Sequence, residues 1–353
     1  EIHLPDADRR LIDTSHGRVP DLDGIGTIQL LGSIAMDSLR ISAGVDSYPR
    51  LGDRVYAAPH SFIANLPKFM EAAEAEASHV LLKLGSIDVA PESYVSVKPE
   101  KLFGRHCAIL GATGGGKSWT TARIIEECLR YKTKIILLDA TGEYRGFDGE
   151  HVANFHLGAP VNTAKSSAPC TLPQTSFIES DFIALFEPAG KVQGPKLRAA
   201  IRSLRLAALA PHVATVGIIK KIDQSKVPIM TEEAKAGIAE KLDDPQQAFD
   251  VWKLVSQIEQ ECVYPDGFGS ARGQKDFTKW GGDSGEVSFC LSLMSRINGI
   301  LSSSSFECVF KSKAPALTEK ISSFISNDDR LLRICLSGVA FEFKAREIIA
   351  NVI

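Results

Sequence analysis

Residues 111–118 read Gly-Ala-Thr-Gly-Gly-Gly-Lys-Ser, a spacing that could hold the phosphates of a nucleoside triphosphate. Glycines let consecutive backbone N–H groups turn toward an anion, and the amino terminus of a following helix adds a positive field. Lys117 would reach the β- and γ-phosphates, and the Ser118 hydroxyl would ligate Mg²⁺. The predicted nucleotide-contacting residues are Gly111, Thr113, Gly114, Gly115, Gly116, Lys117, Ser118 and Trp119. The sequence therefore predicts that the chain binds and hydrolyses ATP with Mg²⁺, with Lys117 as a catalytic residue.

Two carboxylates follow the next apolar run. Asp139 ends the run Lys134-Ile-Ile-Leu-Leu-Asp, and Glu143 comes four residues later. The carboxyl end of a parallel strand lies at the edge of the sheet where ligands bind, so both residues are catalytic candidates that could steer Mg²⁺ or a water molecule. A carboxylate in the position of Asp139 could equally cap a turn or a helix, and position alone leaves both roles open.

The elements that would hold these groups occur in the expected order. Residues 106–110 have the pattern of a short buried strand, residues 118–131 have helical spacing, and residues 134–139 form a continuous apolar run that ends in a carboxylate. Strand, helix and strand together predict a right-handed βαβ unit. Residues 160–325 lose this alternation and are mostly helical in pattern, whereas residues 331–338 again fit a buried strand.

Four regions follow from these patterns. Short apolar stretches broken by turn residues from about residue 24 to 97 predict a small β-barrel or sandwich, and residues 1–97 are assigned to this N-terminal barrel domain. An α/β nucleotide-binding core begins over residues 98–160, a helical insertion occupies residues 161–325, and the core resumes over residues 326–353. The predicted fold class is therefore α/β, with a P-loop domain preceded by a small barrel.

Composition narrows the function further. The 353 residues are 44% hydrophobic, which is enough for a sizeable core, and the net charge of −3 excludes a globally basic nucleic-acid binder. The seven cysteines contain no CxxC pair, which indicates a reducing compartment and no metal site formed by cysteines. No apolar run approaches the roughly 18 residues of a membrane span, and no signal peptide opens the chain, so we expect a cytoplasmic protein with no membrane contact.

Taken with their spacing, these motifs resemble the HerA branch of the HerA/FtsK superfamily of ring ATPases. The resemblance rests on four segments in the same order: Leu51-Gly-Asp-Arg-Val, Pro99-Glu-Lys-Leu-Phe-Gly-Arg-His before the phosphate-binding loop, Leu138-Asp-Ala-Thr-Gly-Glu-Tyr after it, and Ile334-Cys-Leu-Ser-Gly-Val-Ala-Phe-Glu. The loop alone indicates only a P-loop NTPase, whereas its flanking segments are more specific. The resemblance implies a RecA-like P-loop core with a helical insertion, behind an N-terminal barrel.

One expected motif is missing from the sequence. No run of four apolar residues is followed by Asp-Glu, the Walker B pair that orients Mg²⁺ and activates water, and Asp328-Asp329 has the pattern of a turn. Because Glu1 is not an initiator Met and Ile353 interrupts a helical pattern, we expect the chain to be a fragment that stops before Walker B. Such a fragment would be a poor catalyst by itself.

The resemblance also implies an assembly and a role. It implies a homohexamer with nucleotide sites between subunits, in which Arg105 could act as an arginine finger on a neighbouring subunit's nucleotide, although an ordinary surface ion pair fits Arg105 equally well. The implied function is DNA translocation or unwinding through a central pore, with a partner nuclease docked on the barrel. The alternative is an ATP-binding hexameric scaffold in an antiphage defence complex, which assembles and regulates a sirtuin-type or nuclease effector.

A basic stripe bears on the choice between these two roles. Arg198, Arg202 and Arg205 have the i, i+4, i+7 spacing of one helix face. Six such stripes in a ring could contact DNA phosphates, but a solvated helix face or a subunit contact is the more common use of such a pattern.

Overall fold

The computed structural model describes residues 27–353 except for 36, 38–39, 51–52, 54, 70–79, 89, 265–266 and 268–275. The chain forms two compact units, Glu1–Tyr131 and Lys132–Ile353. The phosphate-binding loop belongs to the first unit, and Asp139 belongs to the second. The region boundaries predicted from the sequence, at residues 97/98, 160/161 and 325/326, stay predictions.

The described residues of the first unit form two β-hairpins and three helices. Its elements are β1 (Gly32–Ala35), β2 (Arg40–Ala43), α1 (His60–Phe69), β3 (Leu82–Ile87), β4 (Ala90–Val97), α2 (Pro99–Phe103) and α3 (Lys117–Leu129). β1 pairs with β2 and β3 pairs with β4, each pair forming a separate antiparallel sheet. The described residues therefore do not show the closed barrel that the sequence predicted, and Leu51, Gly52 and Arg54 of the barrel segment lie outside them.

Helix α3 is attached to strand β3 by a buried carboxylate. Glu127 is 1% exposed and accepts a hydrogen bond from the backbone N–H of Lys83 at 3.0 Å. Arg123, one turn earlier, pairs with Glu127 at 2.6 Å and donates to the Lys83 carbonyl at 3.1 Å. These contacts fix the helix that begins at the phosphate-binding loop.

The strand predicted over residues 106–110 is not formed. These residues lie in an irregular segment, and all of them except the half-buried Ile109 are exposed. An apolar run indicates a tendency toward burial, but a strand also needs a neighbouring backbone with which to exchange hydrogen bonds, and the pattern cannot supply one. The helix and the second strand of the predicted βαβ unit are present as α3 and as the strand that begins at Ile135.

The second unit combines a parallel sheet with a large helical region. Its strands are β5 (Ile135–Asp139), β6 (Val152–Gly158), β7 (Ala168–Pro169), β8 (Val263–Tyr264), β9 (Gly281–Gly282) and β10 (Leu331–Gly338). Its helices are α4 (Glu179–Phe186), α5 (Gly190–Leu209), α6 (Val227–Glu233), α7 (Ala236–Leu242), α8 (Leu254–Glu261), α9 (Ser284–Ser302), α10 (Glu307–Phe310), α11 (Leu317–Ser326) and α12 (Ala345–Val352). None of the described helices is long and apolar enough to cross a bilayer.

Four strands form one sheet in the order β5-β10-β6-β7, and every pair in it is parallel. The central strand β10 separates its two faces by residue type, because successive side chains of a strand point to opposite sides. Leu332, Ile334 and Leu336 join the main core, whereas Arg333 and Cys335 make polar contacts on the other face. Mixed α/β structure around a parallel sheet fits a RecA-like P-loop fold.

The helical region packs against the apolar face of this sheet. Its core draws on helices α4, α5, α8, α9 and α12, and its buried apolar side chains include Phe182, Phe186, Leu197, Leu204, Ile258, Ile297 and Ile349. Residues 160–325, which the sequence predicted to be mostly helical, contain the helices α4, α5, α8 and α9. The helical region therefore shares one hydrophobic core with the strands that precede and follow it in the sequence.

Candidate functional site

The phosphate-binding loop has the backbone that its glycines predict. Gly114 and Gly116 have φ angles of +78° and +83°, a region that costs residues with a Cβ roughly 1–2 kcal/mol. Gly116 is the residue before helix α3, and no side chain caps the helix there. The loop therefore presents the first turn of a 13-residue helix, with backbone N–H groups that have no side-chain cap, as an anion site requires.

Lys117 lies against the loop that precedes it. Its Nζ donates to the carbonyl oxygens of Gly111 at 3.1 Å and Ala112 at 2.9 Å. The ammonium is thus held at the loop and would exchange these carbonyls for phosphate oxygens. Of the other predicted contact residues, Ser118 is half-buried, whereas Thr113 is exposed and Trp119 is 81% exposed.

Arg105 is exposed in the irregular segment that leads to the loop. It belongs to the same unit as Lys117, but its action on a neighbouring subunit's nucleotide stays a prediction.

Asp139 caps a turn, which is one of the two roles that its position in the sequence left open. The residue is 1% exposed, and its Oδ1 accepts the backbone N–H groups of Gly142 at 2.8 Å and Glu143 at 3.2 Å. Its Oδ2 accepts the N–H of Tyr144 at 3.0 Å and two N–H groups of Arg333, Nε at 2.9 Å and Nη2 at 2.8 Å. Both oxygens are occupied within the fold, so Asp139 caps a turn and forms an ion pair with Arg333, and the magnesium-steering role that was its alternative stays a prediction.

Arg333 is the residue that the sequence reasoning missed. It is fully buried on β10, one strand away from Asp139, and its Nη2 also donates to the carbonyl oxygen of Asn162 at 3.2 Å. A signal was available, because an arginine inside the apolar run Leu331-Leu-Arg-Ile-Cys-Leu needs a buried counter-charge.

The turn after Asp139 fits closely against the loop that follows β6. Gly142 is buried with a φ of +79°, and a Cβ placed on it would lie 2.4 Å from the Cβ of Asn162 and 2.7 Å from its carbonyl oxygen. Arg145 Nη1 donates to the Asn162 side chain at 3.3 Å. Glu143 is exposed between these contacts, at the carboxyl end of β5. The structure thus fixes the position of Glu143 through its backbone while leaving its side chain at the surface.

The arginines of the predicted basic stripe all have partners in the same unit, although the Arg198 side chain is 61% exposed. Arg198 pairs with Glu179 at 3.0 Å, and Arg202 pairs with Asp243 and, at 3.9 Å, with Glu233. Arg205 is 4% exposed and donates to the carbonyl of Leu242 at 3.1 Å, and burial lowers the pKa of its guanidinium. These arginines join α5 to neighbouring segments, so the face is neither a free basic stripe nor a simply solvated one.

Comparison with known proteins connects these features. Residues 82–255 match the family described as "Helicase HerA, central domain", a range that contains the phosphate-binding loop, Asp139 and Glu143. The chain is also similar to a probable helicase of Methanocaldococcus jannaschii, with 38% identity over 64 residues. That alignment covers 18% of this chain and 12% of the archaeal protein.

Proposed function

Because the chain belongs to the HerA-like ATPase family, we propose that it binds and hydrolyses ATP with Mg²⁺ to drive DNA translocation or unwinding together with a partner nuclease. The observation that supports this most directly is the glycine loop in front of helix α3, which lies inside the family match. Helicase-type members of the family imply ATP hydrolysis as the energy source.

The loop residues fit a triphosphate. The two glycines with positive φ let the backbone turn its N–H groups inward, and the uncapped first turn of α3 favours negative charge. Lys117 would bind the β- and γ-phosphates, and Ser118 would hold Mg²⁺. The ion would neutralise charge that develops on the phosphates during transfer.

The proposed assembly is a homohexamer in the cytoplasm. A ring would place Arg105 of one subunit near the nucleotide of the next, where a guanidinium stabilises transferring phosphoryl oxygens. DNA would pass through the central pore, and an effector or nuclease would dock through the N-terminal region. The Arg105 role needs a neighbouring subunit, so mutation of Arg105 tests the assembly and the chemistry together.

A second candidate function is favoured by the arginines of helix α5. Since Arg205 is buried and Arg198 and Arg202 pair with carboxylates, this helix offers less positive charge to DNA phosphates than its sequence suggested. An ATP-binding hexameric scaffold of an antiphage defence complex, which assembles and regulates a sirtuin-type or nuclease effector, needs no such charge.

The two functions differ in how the ATPase responds to DNA. The test measures ATP hydrolysis by the full-length protein with and without duplex DNA, and its mass by light scattering. A hexamer whose rate rises severalfold with DNA supports the motor, and a hexamer that is indifferent to DNA supports the scaffold. A monomer whose ATPase activity is absent, or is unchanged in Lys117→Ala, refutes both.

A further inference from the structure

We propose that Arg333 is a positioning residue for the ATPase, and that it acts by clamping the Asp139 carboxylate that holds Glu143 at the edge of the sheet. The inference rests on the proposed function and assigns the working carboxylate of the 139–144 segment to Glu143. It changes the role of Asp139 from a catalytic group to the link between Arg333 and Glu143.

Asp139 is connected to the backbone of Glu143. Asp139 Oδ1 accepts the backbone N–H of Glu143 at 3.2 Å, and its other hydrogen bonds hold the N–H groups on either side, those of Gly142 and Tyr144. Three consecutive N–H groups converge on one carboxylate, so the backbone of Glu143 can move only if the Asp139 side chain moves.

Arg333 forms a buried ion pair with Asp139. Two N–H groups of the guanidinium contact the same Oδ2, at 2.9 Å and 2.8 Å, and both side chains have no exposed surface. A planar guanidinium fixes the direction of a carboxylate as well as its distance, which an ammonium cannot do. Arg333 therefore determines how the Asp139 carboxylate is turned toward the three N–H groups.

Arg333 also contacts the loop that follows β6. Arg333 Nη2 also binds the carbonyl oxygen of Asn162 at 3.2 Å, and the Cβ of Asn162 leaves no room for a side chain at position 142. The end of β5 and the loop after β6 are thus joined through one side chain of β10, the strand between β5 and β6. The turn that contains Glu143 is held by the Asp139 carboxylate through its N–H groups and is packed against Asn162 at Gly142.

Glu143 lies where a catalytic carboxylate could meet a ligand. Glu143 is exposed at the carboxyl end of a parallel strand, where ligands of α/β sheets bind. A catalytic group has to be held within a fraction of an ångström, and a misplacement of about 1 Å can lower a rate roughly 100-fold. A buried guanidinium that never touches substrate can therefore control the rate through Glu143.

The experiment compares Arg333→Lys, Glu143→Gln and the double variant in the full-length protein. Arg333→Lys keeps the charge and removes the two-point contact, so we expect kcat for ATP to fall about 100-fold while KM changes less than about twofold. The double variant should be no slower than Glu143→Gln alone, because two residues that act through one group are not additive. Arg296→Lys is the control, since it alters another arginine that pairs with a carboxylate, Glu187, and should leave kcat unchanged.

The outcomes separate this inference from the proposed function. A wild-type kcat in Arg333→Lys beside a slow Glu143→Gln overturns the positioning role, and so does a double variant that is slower by the full Arg333→Lys factor. A wild-type kcat in Glu143→Gln also overturns it, but leaves ATP hydrolysis standing if Lys117→Ala is inactive. Should Arg333→Lys melt below the assay temperature, Asp139→Asn combined with Arg333→Gln removes both charges and should show the same loss of kcat at unchanged KM.

Discussion

Replacement of Gly142 by alanine tests whether the turn after Asp139 is as tightly enclosed as its contacts indicate. The φ of +79° costs an alanine roughly 1–2 kcal/mol. The new Cβ would lie 2.4 Å from the Asn162 Cβ, and relief of such overpacking typically costs about 1–3 kcal/mol. We therefore expect Gly142→Ala to lower the free energy of unfolding by about 3 kcal/mol, which corresponds to a melting temperature lower by roughly 6–12 °C for a domain of this size.

Gly146 provides the matched control four residues later. It is exposed, has no positive φ, and a Cβ placed on it meets nothing within 4 Å. Gly146→Ala should leave stability unchanged or raise it by about 0.4–1 kcal/mol, because alanine restricts the unfolded chain. Both variants are measured by thermal melting and by urea unfolding of the same preparation. Equal melting temperatures for the two variants would refute the packing of Gly142 against Asn162.

Three further predictions concern the phosphate site, a lysine contact and the buried thiols. ATP and Mg²⁺ at about 100 times Kd should stabilise the protein by about 2.7 kcal/mol, and Lys117→Ala should abolish that thermal shift; a shift that survives would disprove the phosphate role. Lys134 Nζ donates to the carbonyl oxygens of Phe324 and Asn327 at 2.6 Å each. Lys134→Met should therefore lower the free energy of unfolding in urea by about 1 kcal/mol, whereas Lys132→Met, at an exposed neighbouring lysine, should change it by almost nothing. Equal losses in the two variants would contradict this contact. Burial raises the pKa of the Cys170 thiol to about 12 and that of Cys308 to about 11. The stability that these neutral thiols contribute is complete below pH 9 and is lost as the pH rises toward those values, because the unfolded chain ionises first; urea unfolding at pH 10 should therefore show a loss of about 1 kcal/mol per thiol relative to pH 8. A free energy of unfolding that does not change with pH would argue against burial of these thiols.

Apolar periodicity predicted the elements whose burial is decided locally. Strand β10 occupies the predicted residues 331–338, and helices α4, α5 and α9 lie in the region predicted to be mostly helical. The strand predicted over 106–110 shows the limit of this reasoning, because its apolar side chains say nothing about which backbone lies beside them. Barrel closure in the N-terminal unit depends on long-range pairing in the same way, and the described residues show only the two hairpins.

The same distinction explains what the sequence indicated about the site. The phosphate-binding loop is continuous in the chain, so its members and its positive φ angles at Gly114 and Gly116 follow from the motif. The role of Asp139 depends on Arg333, which is 194 residues away. An arginine in a buried strand indicates a carboxylate partner, but the chain has 43 acidic residues and the pattern does not choose among them.

The parallel pairing of β5 with β10 has a consequence for how the second unit is made. Because the two strands are separated by the whole helical insertion, β5 cannot find its neighbour until the ribosome has released the residues after 331. At about 5–20 residues per second, the 194 residues between Asp139 and Arg333 take roughly 10–40 s to synthesise. Helices α4, α5, α8 and α9 pack on one another and are all synthesised before β10. The helical region should therefore form native-like contacts first, and the sheet should complete its strand pairing against it last. During that interval Asp139 is a carboxylate without its arginine, and the ion pair forms as one of the final events of folding.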